Sequence, residues 1–286
     1  MGTPGGGPPA SASGESRRGS THLPEQMKIM KSDLIRAERE LEETYWWFVG
    51  RRSMLERLLR RFAKRGGVAL DLGCGSGRNL QLLAPYADRV FGLDRSLTAL
   101  NLASSLGAPT TCADGQAVPL VNSSVDLVSA LDVLEHIDED QRALEEMHRV
   151  LRPGGLLFLT VPAYRFLWSE HDEALMHRRR YVASELHMKL TRAGFRVLKR
   201  TYAVFFMFFP IFFYRLFRGL VPKNPFSPMA SHVLLPGPIN RFFIAVLRFE
   251  AWMCGAINWP WGTSIVAVAQ KVSTDSSTGG RYVRPA

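Results

Sequence analysis

The sequence predicts an α/β fold, a mostly parallel, Rossmann-like sheet with helices on both faces, and three observations lead there. Residues 68–80 read VALDLGCGSGRNL: an apolar run ending in an acid, then glycines at every second position, the pattern of a strand, a tight turn and the first turn of a helix. Short apolar runs then recur near 68–72, 89–94, 109–112, 125–131 and 156–161 with helix-length segments between them, which is how βαβ units are written. Asp71, Asp94, Asp114 and Leu131 all fall at the carboxyl ends of those runs, where ligands of parallel sheets sit.

Taken in order, residues 1–23 are rich in Gly, Pro and Ser with almost no large apolar side chains, so a disordered tail is expected; they lack the apolar core of a secretory signal. Residues 27–48 place Leu34, Ile35, Leu41 and Trp47 at roughly helical spacing, predicting a helix before the first strand. Residues 184–194 read as a capped helix stopping at Gly194, residues 195–202 as strand six, and residues 262–271 as an antiparallel strand seven. The main domain is thus expected over 24–202 and 262–272, with an insertion at 203–261 and a second disordered tail at 273–286.

Composition bounds the class. With 46% hydrophobic and 22% charged residues the chain is an ordinary globular protein. Cys74, Cys112 and Cys254 are scattered without paired spacing, which argues against a zinc site or disulfide framework and for a reducing, cytoplasmic setting.

The spacing of Gly73, Gly75 and Gly77 differs from the dinucleotide fingerprint, which has one more residue before its last glycine. Asp71-Leu-Gly-Cys-Gly-Ser-Gly77 instead resembles the first motif of class I S-adenosylmethionine-dependent methyltransferases, and further segments match in order: Val90-Phe-Gly-Leu-Asp94, Asp114-Gly115, residues 125–136, and Leu151-Arg-Pro-Gly-Gly155. The resemblance implies the class I methyltransferase fold, with a seven-stranded sheet, and S-adenosylmethionine as cofactor. It implies that Gly73, Gly75 and Gly77 let the donor approach the backbone, that Asp94 binds its ribose hydroxyls, that Asp114 and Gly115 meet the adenine edge, and that Leu131 and Asp132 sit at the mouth. Asp71 either hydrogen-bonds the turn's amides or positions the donor's amino group. The ubiquinone-biosynthesis branch of the family, which the chain resembles more loosely, places an arginine of the preceding helix at the donor's carboxylate, and Arg52 is the matching residue; the competing reading makes it a solvated rim cation. Glu135 and His136 read as cap and surface residues opening a helix, with contact to the substrate as the alternative.

Beyond strand five lies the place where this family meets its methyl acceptor. Residues 161–181 crowd aromatics, histidines and cations there, so Tyr164, Trp168, Arg179, Arg180 and Tyr181 are the expected acceptor contacts. His171, oriented by Asp172, or its rival His177, is the expected proton acceptor. The spacing of these three matches no familiar zinc pattern, and no metal is assigned. The insertion opens with Ala203-Val-Phe-Phe-Met-Phe-Phe-Pro-Ile-Phe-Phe-Tyr214 and continues with a second apolar piece over 239–252. Each is too short to span a bilayer. Two such helices joined by a proline-rich link are expected to form a hairpin that dips into one leaflet of an anionic membrane with its arginines at the headgroups, helped by the formal charge of +10; a lid or dimer interface is the alternative. The expected acceptor is therefore hydrophobic, a lipid, quinone or polyprenyl-linked molecule met at the membrane surface. RNA, suggested only by Arg178–Arg180, is the weaker reading, as are a small-molecule acceptor and a donor-binding partner without turnover.

Overall fold

The computed structural model describes residues 2, 39–107, 109–218 and 235–272; apart from Gly2, both expected tails, and the proline-rich link inside the insertion, lie outside them. The described helices and strands run α1 (Trp46–Phe62), β1 (Val68–Leu72), α2 (Arg78–Leu83), β2 (Arg89–Asp94), α3 (Leu97–Ser104), β3 (Thr110–Cys112), β4 (Val125–Leu131), α4 (Asp140–Val150), β5 (Leu151–Pro162), α5 (Glu170–Ala174), α6 (Ala183–Arg192), β6 (Phe195–Ala203), α7 (Phe208–Arg218), α8 (Gly237–Cys254) and β7 (Ser264–Lys271). The seven strands form one sheet in the order β3-β2-β1-β4-β5-β7-β6, with β7 antiparallel to both neighbours and the other pairs parallel.

Alternation along the central strands divides the core. Leu70, Val128 and Leu157 face α4 and α6 with Leu144, Met147, Leu186 and Leu190, whereas Ala69, Leu127, Phe158 and Val268 face α1 and α8 with Met54, Leu55, Leu58, Leu247, Ala251 and Cys254. The period of two makes adjacent residues point to opposite layers, so a strand buried on both sides reads as a continuous apolar run.

Two expectations change here. The helix read over 27–48 is described only from Arg39; it breaks at residues 42–45 and α1 starts afresh at Trp46. The apolar run from Ala203 is not one helix either: Ala203 ends β6, and α7 starts at Phe208. Pro210 thus falls in the first turn, where its missing N–H would have no helical partner anyway.

The insertion is joined to the domain by its second helix. α8 lies so close to α1 that a Cβ on Gly50 would come within 2.2 Å of Leu247 Cδ1. Glu250, fully buried, accepts a hydrogen bond from Phe205 N–H at 2.9 Å. Burial pushes the Glu250 carboxyl up to about 7, against the pull of the surrounding backbone amides. A raised folded pKa favours the native state below the unfolded value and withdraws that support as pH rises through the folded one. Between roughly pH 4.5 and 7 the group therefore removes up to about 1.4 kcal/mol of stability per pH unit. Glu250→Gln is expected to flatten this slope in denaturant unfolding measured across that window; an unchanged slope would place the titration elsewhere.

Candidate active site

The carboxyl ends of β1, β2 and β4 meet at the glycine turn. Gly73, Gly75 and Gly77 have φ of 72°, 53° and 87°, a region that side chains other than glycine's rarely adopt. Their surroundings differ. A Cβ on Gly73 would strike Val133 Cγ2 at 2.4 Å and one on Gly77 would meet Ala103 at 2.9 Å, but one on Gly75 would have nothing within 4 Å. The turn is packed at both ends and open in the middle, a form suited to a ligand lying against Gly75.

Asp94 braces that opening. Its carboxylate accepts from Gly75 N–H at 3.0 Å and from Ser96 N–H at 2.8 Å, which leaves lone pairs for a diol. Gln116 N–H donates to Asp114 at 2.9 Å, and, although burial works the other way, this bond and Arg95 hold the Asp114 carboxyl below its ordinary value. Gly115 is buried, with Leu72 and Ile137 3.1 and 3.2 Å from where its Cβ would be.

Asp71 differs from the first of its two sequence readings. The amides of Gly73 and Cys74 go to the Leu93 carbonyl, while Asp71 turns inward and accepts from the Ser129 hydroxyl at 2.5 Å. Its other oxygen is buried without a hydrogen-bond partner among the described residues. Burial pushes this carboxyl up to about 7, with Ser129 and Arg51 opposing.

Leu131 also needs correction. Its side chain is buried in the core layer with Met54 and Leu127, so the mouth belongs to Asp132 and Val133. Asp132, in the left-handed region at φ 55°, accepts from Thr160 Oγ1 at 2.9 Å and pairs with Arg51. A small cavity lies there, bounded by Trp47, Arg51, Met54, Asp132, Val204 and Leu247. The arginine that α1 presents to this cavity is Arg51, one residue before the expected Arg52. Arg52 is half-buried beside Arg51, Glu42 and Arg78. Residues 39–45 close over the turn: Ser76 donates to Glu42, Arg78 pairs with Glu43, and Arg39 reaches the Leu102 carbonyl at 2.6 Å.

On the acceptor side, the expected base and carboxylate pair differently. Asp172, wholly buried, accepts from His177 Nδ1 at 2.9 Å and from Arg180 Nε and Nη2 at 2.7 and 3.0 Å. Burial alone would raise its pKa; His177 and Arg180 instead hold it well below the usual carboxylate range. Asp172 lies in the short helix α5, where it cannot face its neighbour His171; the histidine it orients is His177. The His171 ring centre is 6.3 Å from that of His177 and the His136 ring centre is 4.8 Å from it.

The cations expected to grip an acceptor are occupied within the chain. Arg180 also donates to the Ala163 carbonyl, Arg179 pairs with Asp140 at 3.3 Å, and Arg178 pairs with Asp138. The fully buried Tyr181 gives its hydroxyl proton to Asp140 at 2.8 Å. Arg179, Arg180 and Tyr181 therefore build the wall rather than line it. Tyr164 and Trp168 remain partly exposed. Tyr164 stacks between Tyr202 and Phe166 at 5.1 and 5.0 Å, and both Tyr164 and Phe166 touch α7 through Phe208 and Phe212.

Glu135 departs from its cap-and-surface reading. It lies in a single turn at Leu134–His136 and is completely buried, not an exposed cap. The signal was available: an acid and a histidine directly after a strand that ends at the ligand edge.

The chain is similar to known proteins across the segments that carry this site. Residues 70–159 match the family described as a methyltransferase domain. A protein of Mycolicibacterium smegmatis described as a probable S-adenosylmethionine-dependent methyltransferase is 33% identical over 161 residues, 55% of this chain and 62% of that protein. The ubiquinone biosynthesis O-methyltransferase of Coxiella burnetii is more distant, 24% identical over 151 residues, 48% of this chain and 64% of that protein. The chain thus spans about three-fifths of the length of these curated relatives. A SAM-dependent methyltransferase structure from Thermotoga maritima superimposes with a TM-score of 0.52 at 18% identity, covering 86% of this chain and 99% of that one, which speaks to fold alone. The chain has the class I methyltransferase fold, and its residues 70–159 match the methyltransferase-domain family.

Proposed function

We propose that the whole protein transfers a methyl group from S-adenosylmethionine to a hydrophobic acceptor, a lipid, quinone or polyprenyl-linked molecule, at a membrane surface. On the donor side, Asp94 holds the ribose diol, Asp114 the adenine amine, Gly75 the backbone contact, and Arg51 or Arg52 the donor's carboxylate. On the acceptor side, His136, His171 and His177, with Asp172 fixing His177, take up the proton of an acceptor hydroxyl. Alignment of acceptor oxygen and donor methyl supplies much of the acceleration, because the sulfonium carbon is already activated.

The observation that carries the acceptor half is a run of rings from the acceptor side to the insertion: Tyr202, Tyr164, Phe166 and Phe212. Outside it, α7 exposes Phe209, Phe213 and Phe217, and α8 exposes Phe242, Phe249 and Trp252. Arg241 and Arg248 lie among the latter, and the one acid in either helix, Glu250, is buried. Rings interleaved with cations suit an anionic interface. No helix among the described residues is long and apolar enough to cross a membrane, in keeping with a peripheral mode. The RNA reading loses its support, since Arg178, Arg179 and Arg180 are paired internally.

The test is transfer of labelled methyl from S-adenosylmethionine to a total lipid extract, with RNA as the parallel arm, and flotation of the protein with anionic vesicles. Label is expected in the organic phase. The triple variant Phe213→Ser, Phe249→Ser, Trp252→Ser is expected to lose on the order of 100-fold in vesicle partitioning, at about 1 kcal/mol per half-exposed ring. Label in RNA, or partitioning unchanged in the variant, would overturn the acceptor reading.

A further inference from the structure

Segment 177–181 is fastened to the turn after β4. Arg178 N–H donates to the Glu135 carbonyl at 2.8 Å and Arg178 Nε to the His136 carbonyl at 3.1 Å, while Ala163 and Tyr181 form a parallel bridge along the end of β5. This brings together three side chains distant in sequence. A carboxylate oxygen of Glu135 and one ring nitrogen each of His136 and His177 lie within 4.8 Å of one another.

Two features distinguish this group from a chance cluster. Glu135 is completely buried, and neither of its carboxylate oxygens has a hydrogen-bond partner among the described residues. A buried carboxyl without a donor is costly unless something else fills that role. His177, with its side chain 7% exposed, meets the Asp172 carboxylate through Nδ1. That bond fixes the tautomer with the proton on Nδ1 and leaves the Nε2 lone pair to bind an ion, the carboxylate–histidine–metal arrangement of many zinc sites.

We propose that Glu135, His136 and His177 form a binding site for one divalent transition-metal ion of the zinc class, with Asp172 as the positioning residue behind His177. Two imidazoles and one carboxylate are a donor set that zinc accepts readily and that magnesium, which favours oxygen and retained water, does not. Three protein ligands leave a fourth position open, and Asp132, at the cavity, is three residues away along the same turn. Bond lengths of about 2.0–2.1 Å would draw the ligand atoms to about 3.3 Å apart, a closure within reach of side-chain rotation. The histidines and acid that sequence spacing considered, His171, Asp172 and His177, share only one ligand with this set. The site goes beyond the methyl-transfer reading and stands without it. Were both correct, an acceptor hydroxyl would occupy the open position and His171 would carry its proton away.

The experiment uses the purified full chain, stripped with a chelator and titrated calorimetrically with zinc chloride, and in parallel with magnesium chloride. One zinc ion per chain is expected at micromolar affinity or tighter, with no heat from magnesium. Glu135→Gln and His136→Ala, which remove direct ligands, are each expected to weaken zinc by more than the roughly 10–100-fold typical of losing an outer-shell partner. Cobalt(II) loaded into the wild-type protein reports ligand number and type by its visible spectrum, which keeps the test independent of how well the buried Glu135 variant folds. Silence with zinc, a magnesium preference, or zinc affinity unchanged in His136→Ala would overturn the site. Titrating S-adenosylmethionine into the stripped protein separates this outcome from failure of the donor reading.

Discussion

Asp94→Ala is expected to lower the affinity for S-adenosylmethionine by about 100- to 10,000-fold, as measured by isothermal titration. The carboxylate lies at the end of β2 with both oxygens at the opening of the glycine turn, and a hydrogen bond between a charged group and a ligand hydroxyl is worth about 1.5–3 kcal/mol, so two such bonds to a ribose diol account for the range. The loss has a second source. Asp94 accepts from the amides of Gly75 and Ser96, so the alanine variant also frees the open middle of the turn and the cap of α3. Asp94→Asn separates the two sources: its remaining oxygen can still hold the Gly75 amide, and its affinity is expected to fall between those of the wild type and the alanine variant. Unchanged donor binding in Asp94→Ala would mean that the donor does not lie against Gly75.

The central strands and the glycine turn were legible because their signals are local. β1, β2 and β4 are apolar runs of five to seven residues ending at or beside an acid, and they begin and end where the sequence places those runs. The strand periodicity reports that a residue is buried but not what buries it. That is why the sequence could not say that α8 packs on α1 at Gly50, a contact between residues 50 and 247. Arg51 and Arg52 are likewise adjacent in sequence, yet on a helix they point about 100° apart, and only the docking of α1 decides which one reaches Asp132. The arginines at 178–180 misled for the same reason. Their partners Asp138, Asp140 and Asp172 are supplied by tertiary packing, so a basic run that reads as an anion grip is internally neutralised.

Asp172→Ala is expected to cost about 3–5 kcal/mol of stability in denaturant unfolding, the penalty for leaving a buried charge without its partner. The Arg180 side chain is 3% exposed, and Asp172 receives two of its hydrogen bonds while also capping α5 through Ser169 and holding His177. A pair this buried is strongly destabilising to break but not to replace, because desolvating both ions offsets much of their attraction. The double variant Asp172→Leu, Arg180→Met is therefore expected to be more stable than Asp172→Ala alone, even though it also gives up the bond from Arg180 to the Ala163 carbonyl. The pH dependence carries the same signature. A carboxyl held below its ordinary value contributes stability that is complete above the unfolded pKa of about 4 and is lost as pH falls from there towards the folded value. The gap between wild type and Asp172→Ala should consequently be flat from neutral pH to about 4 and shrink below it. A cost under about 1 kcal/mol, the range of an exposed pair, would mean that segment 169–181 is open to water, and the acceptor wall built on it would have to be redrawn.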